Sequence, residues 1–505
     1  MRYISTRGNI KPVSAIEAIK LGMVPQGGLF VPESIPSISK KQLHSWINLP
    51  YSKLAMHIFH FFLAEDFSEQ EIAQIVQRVY HKAHFESDEI TPLVQLDNRL
   101  FILELFHGPT GAFKDLALQV LPQILSMIIK KLSQSNQLLI LVATSGDTGK
   151  AALEGFKNVP GIQIVTYYPY EKVSKIQELQ MLSTEGDNTH VIALQGNFDD
   201  CQNAVKQIFA AQDFNALLYK KGFELSSANS INWGRLFPQI VYYFYAYLSL
   251  LRNKHIQENK KINIVVPTGN FGNILAAWYA QEMGLPIEKL ICASNINKVL
   301  TDFFHSGIYD TNRPFFSTIS PSMDILISSN LERFLFEISH RDGKLISNLM
   351  KQLQDKGKFV LKESIKHKMN EIIFAGFANE VETLKTIKSV YQKYNYLVDP
   401  HTAVGVKIFN DYKKFSNNKT KTIIAATATP FKFNKAVLTA LLGENSVKHK
   451  DEMVLLHQLS EYTGIPVPAM LQDLDKKLLK HLSIYSRDNA RKGLLEVLKV
   501  NSTSQ

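Results

Sequence analysis

The 505-residue chain has two cysteines, Cys201 and Cys292, too few to staple a protein of this length. That excludes a disulfide-built secreted scaffold and points to a reducing, cytoplasmic setting. No signal peptide is expected either, since MRYISTRGNIKPVSAIEAIK has no apolar run followed by a small-residue cleavage site. Long hydrophobic runs are absent. The most apolar stretch, Phe237 to Leu251, is shorter than the roughly 20 residues that span a bilayer and carries tyrosines and a glutamine, so it predicts a buried core helix and no membrane association. Internal repeats and low-complexity tracts are lacking, which excludes a solenoid. There are no arginine-rich blocks or basic-aromatic repeats either. Lys+Arg 56 against Asp+Glu 46 gives +10, but this dispersed excess argues against nucleic acid and suits an anionic small substrate. What remains, at 45% hydrophobic and 20% charged, is a globular protein of two or three domains with a ligand cleft between them.

Short β-rich runs alternate with helical segments, which predicts an α/β fold with mostly parallel sheets. Strands are expected over 137–143, 261–267 and 422–428, with others at 162–168, 190–194, 100–105 and 290–293. Residues 1–90 read as a helical N-terminal subdomain, with helices over 54–63 and 68–81, and 446–505 as a helical tail broken by Gly464-Ile465-Pro466-Val467-Pro468.

Three glycine-containing turns follow apolar strands, where ligands of α/β proteins usually bind. In PTGNFGNILAAWYA, Gly269 and Gly272 let the backbone approach a phosphate, and a helix from about Ile274 offers it free N–H groups. The G-x-G-x-x-G fingerprint is absent, so a small phosphate fits better than a dinucleotide. The second turn, Ala143 to Lys150, fails the Walker pattern at Thr144 and Ala151. Its hydroxyl residues suit either a carboxylate or an ordinary helix cap. The third turn is FHGPTGAFKD, Phe106 to Asp115. Lys114 lies between Phe113 and Leu116, an apolar setting that lowers an ammonium pKa and frees an amine for Schiff-base chemistry. A surface lysine opening a helix is the alternative and, from these residues alone, the plainer reading, and His107 reads as a ligand contact or as a partner of a nearby carbonyl.

Together with Arg2-Tyr3-x-Ser5-Thr6-Arg7-Gly8, Gly22-Met23-Val24-Pro25-x-Gly27-Gly28-Leu29-Phe30-x-Pro32, SANSINWGR (Ser227 to Arg235), SPSMDILISSNLER (Ser320 to Arg333) and ATATPFKF (Ala426 to Phe433), these segments stand in one order along nearly the whole chain. The set resembles the threonine synthase family, pyridoxal-phosphate lyases of fold type II related to the tryptophan synthase β-subunit. The resemblance implies two open α/β domains with the cofactor in the cleft. Residues 91–140 and 226–445 would form the large domain and 141–225 a small mobile substrate domain.

Carried over residue by residue, the resemblance implies that Lys114 holds pyridoxal 5′-phosphate. Gly269, Asn270, Phe271, Gly272 and Asn273 would bind the cofactor phosphate, and Thr427 would sit near the pyridine nitrogen as a neutral donor. Ser145, Gly146, Asp147 and Thr148 would grip the substrate carboxylate, with Asp147 close to the cofactor's ring hydroxyl. Asn229, Ser230, Asn232 and Arg235 would hold the phosphate of O-phospho-L-homoserine, with Lys172 as a second phosphate ligand beside Ser174. The implied reaction makes L-threonine and phosphate from that substrate and water. Another fold type II lyase, such as a threonine dehydratase-like enzyme, is the alternative. No metal and no nucleic-acid partner is expected, nor activation by S-adenosylmethionine. The protein would be cytoplasmic, as a monomer or a homodimer. Thr429 departs from the histidine common in the ATAHP version of its segment, and no role is assigned to it.

Overall fold

The computed structural model describes residues 1–500. Two open sheets organise it. The larger has six strands in the order Ile373–Phe377, Ile287–Ser294, Ile262–Pro267, Thr422–Ala426, Leu100–Glu104 and Leu93–Gln95, parallel except for the last pair. The smaller has five strands, all parallel, in the order Ser483–Ser486, Thr189–Gln195, Ile162–Pro169, Gln137–Ala143 and Phe223–Ser226. The expected α/β architecture is present, and each expected strand appears, Gln137–Ala143 with its expected ends and the others with ends moved by at most a few residues. No described helix is long and apolar enough to cross a membrane.

The strand expected over 422–428 stops at Ala426. Beyond it the chain turns to pair with the lysine-bearing segment. Phe113 N–H donates to Thr427 O at 2.9 Å, Thr429 N–H donates to Gly111 O at 3.0 Å, and Ala112 bridges Ala428. Gly111 is required there: its φ is +71°, and a Cβ would lie 2.8 Å from the Thr429 methyl. Thr429 therefore packs under the turn.

The C-terminal tail differs from its expected helical form. Ser483–Ser486 adds an edge strand to the smaller sheet, and Ala490–Val497 packs its Leu494 into that sheet's core with Ile192, Cys201 and Ile208. A four-residue polar edge strand carries too little alternation to announce itself. Residues 501–505 of that segment lie outside the described residues.

At the N-terminus the helices Tyr51–Leu63 and Glu69–Val79 form as expected, the second started by a Ser68/Glu71 capping box. A strand pair, Tyr3–Ser5 with Phe30–Pro32, joins them. Buried Arg333 ties three of the sequence motifs together, donating to Phe30 O, to Asn330 Oδ1 and to Ile231 O while lying over the Trp233 ring. Its neighbour Glu332 accepts from Thr6 Oγ1 at 2.6 Å and from Arg7 at 3.0 and 2.9 Å. The N-terminal motif thereby clamps the helix Leu331–Ile338, and Asn330 just before it donates twice to Asn270 O in the glycine loop. Arg7→Ala leaves a largely buried carboxylate half-satisfied and is expected to cost ~1–3 kcal/mol. A lower urea midpoint together with weaker cofactor retention would bear this out; an unchanged midpoint would refute it.

Candidate active site

The glycine loop leaves the carboxyl end of Ile262–Pro267 and enters the helix Gly272–Glu282, two residues earlier than expected. Phe271 adopts φ +63° at the helix cap, and its ring is buried against Phe304 and Phe334. A Cβ on Gly269 would lie 2.5 Å from Ser322 O, so only glycine admits this approach. Tyr242 and Tyr243, two of the four tyrosines of the buried helix Ile240–Arg252, both donate to Asn273 Oδ1, while Asn273 Nδ2 has no partner among the described residues. Ser328 Oγ and Asn330 hold the carbonyls of Gly269 and Asn270. Asn270 itself is exposed.

Lys114 opens the short helix Asp115–Leu118, and its side chain is 10% exposed. Its Nζ lies 3.7 Å from Asp147 Oδ2 and 3.5 Å from Ser322 Oγ. Burial lowers the proton affinity of the amine; Asp147 opposes this, and Lys432 and Arg235 reinforce it. The surface-lysine reading therefore fails.

Asp147 sits in the first turn of Asp147–Phe156. Its Oδ1 accepts from Lys432 at 2.6 Å and from Gln177 at 2.8 Å. Burial alone would raise this carboxyl, but Lys432 and then Lys114 hold it well below the usual carboxylate range. Lys432 is fully buried and donates also to Thr110 O at 3.1 Å. Sequence reasoning passed over it, although Phe431 and Phe433 flank it as apolar residues flank Lys114.

Asp115 accepts from the N–H and hydroxyl of Thr110 at 2.9 and 2.7 Å. Burial, only partly offset by those bonds, pushes its carboxyl from 3.8 up to about 6. A carboxyl with a raised folded pKa contributes stability that is full below the unfolded value and lost as pH rises through the folded one. Asp115→Asn fixes the neutral form. The wild type is expected to lose on the order of 3 kcal/mol relative to this variant as pH rises from roughly 3.5 to 7. Parallel melting-temperature curves for the two proteins would sink the assignment.

Arg235 lies in the short helix Trp233–Leu236 and is 4% exposed. Its Nη1 donates to Ala228 O at 2.9 Å, while its Nε has no partner. Among the described residues it has no carboxylate partner, and burial brings its pKa down to about 10. Asn229 and Ser230 are half-buried on the turn before it. Asn232 is different. Its amide donates to Ile19 O and Ser227 O and its Oδ1 caps Gly234 N, so the side chain is spent on the fold.

Ser145 and Thr148 are half-buried and flank Gly146 and Asp147 at the helix start, while Thr144 Oγ1 caps the turn by accepting from Gly146 and Gly149. Thr427 is 7% exposed beside the Lys114 segment. Lys172 stands apart: it is exposed on a turn, and Ser174 caps the following helix. His107 bonds to the Glu104 carboxylate at 2.7 Å rather than to a carbonyl.

Lys114 and the buried Lys432 thus converge on one carboxylate, Asp147, while the buried Arg235 has none among the described residues. Such a cluster calls for further anions. With the unpartnered Asn273 amide and the close-packed glycine loop, the residues present fit a phosphate-bearing aldehyde cofactor held at a buried lysine.

The chain is similar to known proteins along most of its length. Family profiles described as Threonine synthase N terminus, Pyridoxal-phosphate dependent enzyme and Threonine synthase, C-terminal match residues 2–80, 86–348 and 402–476. The threonine synthase of Pseudomonas aeruginosa is 39% identical over 88% of this chain and 91% of its own length. Threonine synthase-like 1 of Homo sapiens is 39% identical over 89% of this chain, which spans 61% of that longer protein. The crystal structure of pyridoxal-phosphate-bound threonine synthase from Brucella melitensis superposes with a TM-score of 0.86 at 36% identity, covering 98% of this chain and 99% of that one. The chain belongs to the threonine synthase family of pyridoxal-phosphate-dependent enzymes.

Proposed function

We propose that the protein converts O-phospho-L-homoserine and water to L-threonine and phosphate, the closing step of threonine biosynthesis, and that it works in the cytoplasm as a monomer or homodimer. The observation that carries this reading is Arg235: a buried guanidinium that has, among the described residues, no carboxylate partner and a free Nε. It suits a buried phosphate ester, and the hydroxy-amino-acid substrate of a dehydratase has none.

When bound, pyridoxal 5′-phosphate supplies the electron sink for carbanions at the substrate. Lys114 would hold the cofactor covalently, and the loop Gly269 to Asn273, at the N-terminus of the helix Gly272–Glu282, would take its phosphate. Thr427 would serve the pyridine nitrogen as a neutral donor. In the loop 145–148 the labour divides. Ser145, Gly146 and Thr148 meet the substrate carboxylate, whereas the anionic Asp147 would repel it and instead faces Lys114. Asn229, Ser230 and Arg235 hold the ester phosphate.

Released from the cofactor, the Lys114 amine takes the α-proton and then moves a proton at the β-carbon. The Cγ–O bond breaks with its electron pair on phosphate, which leaves onto Arg235; water adds its hydroxyl at Cβ and its other proton goes to the phosphate, while the two protons taken from Cα and Cβ are given to Cγ and back to Cα. Movement of 141–225 toward the lysine would exclude other water. The deciding experiment incubates the cofactor-loaded protein with O-phospho-L-homoserine and quantifies products. Threonine and phosphate in equal amounts are expected. Phosphate with an oxo acid would mean elimination without hydration and would overturn the assignment.

A further inference from the structure

Lys114 has two polar contacts of different kind. Asp147 Oδ2 is an ionised oxygen that can only accept, so it favours the ammonium form alone. Ser322 Oγ, at 3.5 Å, is a hydroxyl: it accepts from an ammonium and donates to the lone pair of a neutral amine. Among the described residues it is the one neighbour whose bond survives both protonation states. The contact is at the outer edge of hydrogen-bond reach, as catalytic contacts often are before substrate closes the site.

The position of Ser322 is strongly determined. It lies in the 3-10 turn Pro321–Met323, pressed against the glycine loop through the close approach of its carbonyl to Gly269. Its N–H donates to His401 Nε2 at 3.2 Å. That bond requires the tautomer with hydrogen on Nδ1, and the buried Asp399 carboxylate accepts there at 2.7 Å. Asp399 also caps the helix Pro400–Ser416, so the pair is anchored to the large sheet's packing. On the other side Asp324 binds Asn295, Asn297 and Thr318 and fixes the same loop.

Resting on the reading of Lys114 as the proton-moving amine, we infer that Ser322 is a further catalytic residue. Its hydroxyl holds the Lys114 nitrogen in register while that nitrogen alternates between neutral and protonated, and His401 with Asp399 is the pair that positions it.

The test uses the full-length, cofactor-loaded protein and Ser322→Ala, with Ser322→Thr as the conservative variant. Ser322→Ala is expected to lower kcat for O-phospho-L-homoserine about 10–100-fold with KM nearly unchanged, and to raise the isotope effect with Cα-deuterated substrate. Ser322→Thr, which keeps the hydroxyl, recovers most of the rate. In unloaded protein mixed with pyridoxal phosphate, Ser322→Ala develops its visible band several-fold more slowly, because the attacking amine is no longer held. If Ser322→Ala does not fold, Ser322→Cys, close in size but a weak hydrogen-bonder, answers the same question. His401→Gln is expected to show a smaller kcat loss in the same direction.

Unchanged kcat, isotope effect and band-formation rate in a folded Ser322→Ala overturn the proposal. Deuterium wash-in at Cα of L-2-aminobutyrate separates the two readings, since it needs no substrate phosphate. Wild-type wash-in without threonine formation sinks the substrate assignment, and a wash-in rate reduced in Ser322→Ala would still uphold the serine. No wash-in by the wild type sinks both.

Discussion

Lys114→Ala is expected to abolish the visible band of the loaded protein after gel filtration and to lower turnover by at least about 10³-fold. Both effects follow from one nitrogen, because the amine that tethers the cofactor is also the base that reaches adjacent carbons. The fold is expected to survive. Asp147, the carboxylate facing the lysine, keeps Lys432 at 2.6 Å and Gln177 at 2.8 Å when Lys114 is removed, so no buried charge is orphaned. The mutant should therefore melt within a few degrees of the wild type and still bind the cofactor noncovalently through the glycine loop. Retained turnover would refute the assignment of Lys114. Global unfolding would mean instead that the lysine is part of the structural charge balance.

Much of this site is legible in the sequence, because the chemistry-bearing residues sit in short turns directly after strands. Gln137–Ala143 and Ile262–Pro267 are apolar along nearly their whole length, as buried parallel strands are, so the glycine turns that follow are easily placed. Lys114 stands out by its apolar neighbours. Other parts are illegible for definite reasons. Phe223–Ser226 carries a glutamate and has only four residues. Ile373–Phe377 follows the helix Glu363–Ile372 without an intervening turn residue, so no punctuation separates the two periods. Asn232 looks like a phosphate ligand beside Arg235, but only the folded chain shows Ile19 and Ser227 claiming its amide. Ser322 and His401 are 79 residues apart and meet through a backbone N–H, a bond that no side-chain pattern encodes. The N-terminal motif has the same character: Arg7 and Glu332 pair across 325 residues, and the purpose of the pair is to hold the glycine loop from behind.

Lys432 is the clearest instance of a residue whose role exists only in three dimensions, and its replacement carries the second large effect. The residue is fully buried, and its amine is split between Asp147 Oδ1 and Thr110 O. Lys432→Met leaves Asp147, 3% exposed, with Gln177 and the more distant Lys114. Breaking one side of a buried pair costs ~3–5 kcal/mol, whereas replacing both sides is often close to neutral. Lys432→Met is therefore expected to lower stability by about that amount, and Lys432→Met/Asp147→Asn to recover most of it, which a double-mutant cycle on denaturant midpoints measures. Activity is expected not to follow stability. In the single variant Asp147 has lost its main cation and draws on Lys114, stabilising the ammonium form and depriving the site of a free base. In the double variant the lysine loses the anion that faces it. Both should fall in kcat by about 100-fold or more. For the single variant the rate should recover as pH rises and the ammonium gives up its proton, and for the double variant it should not. A single variant as stable as the wild type, or a double variant no more stable than the single, would show that Lys432 and Asp147 are not energetically coupled.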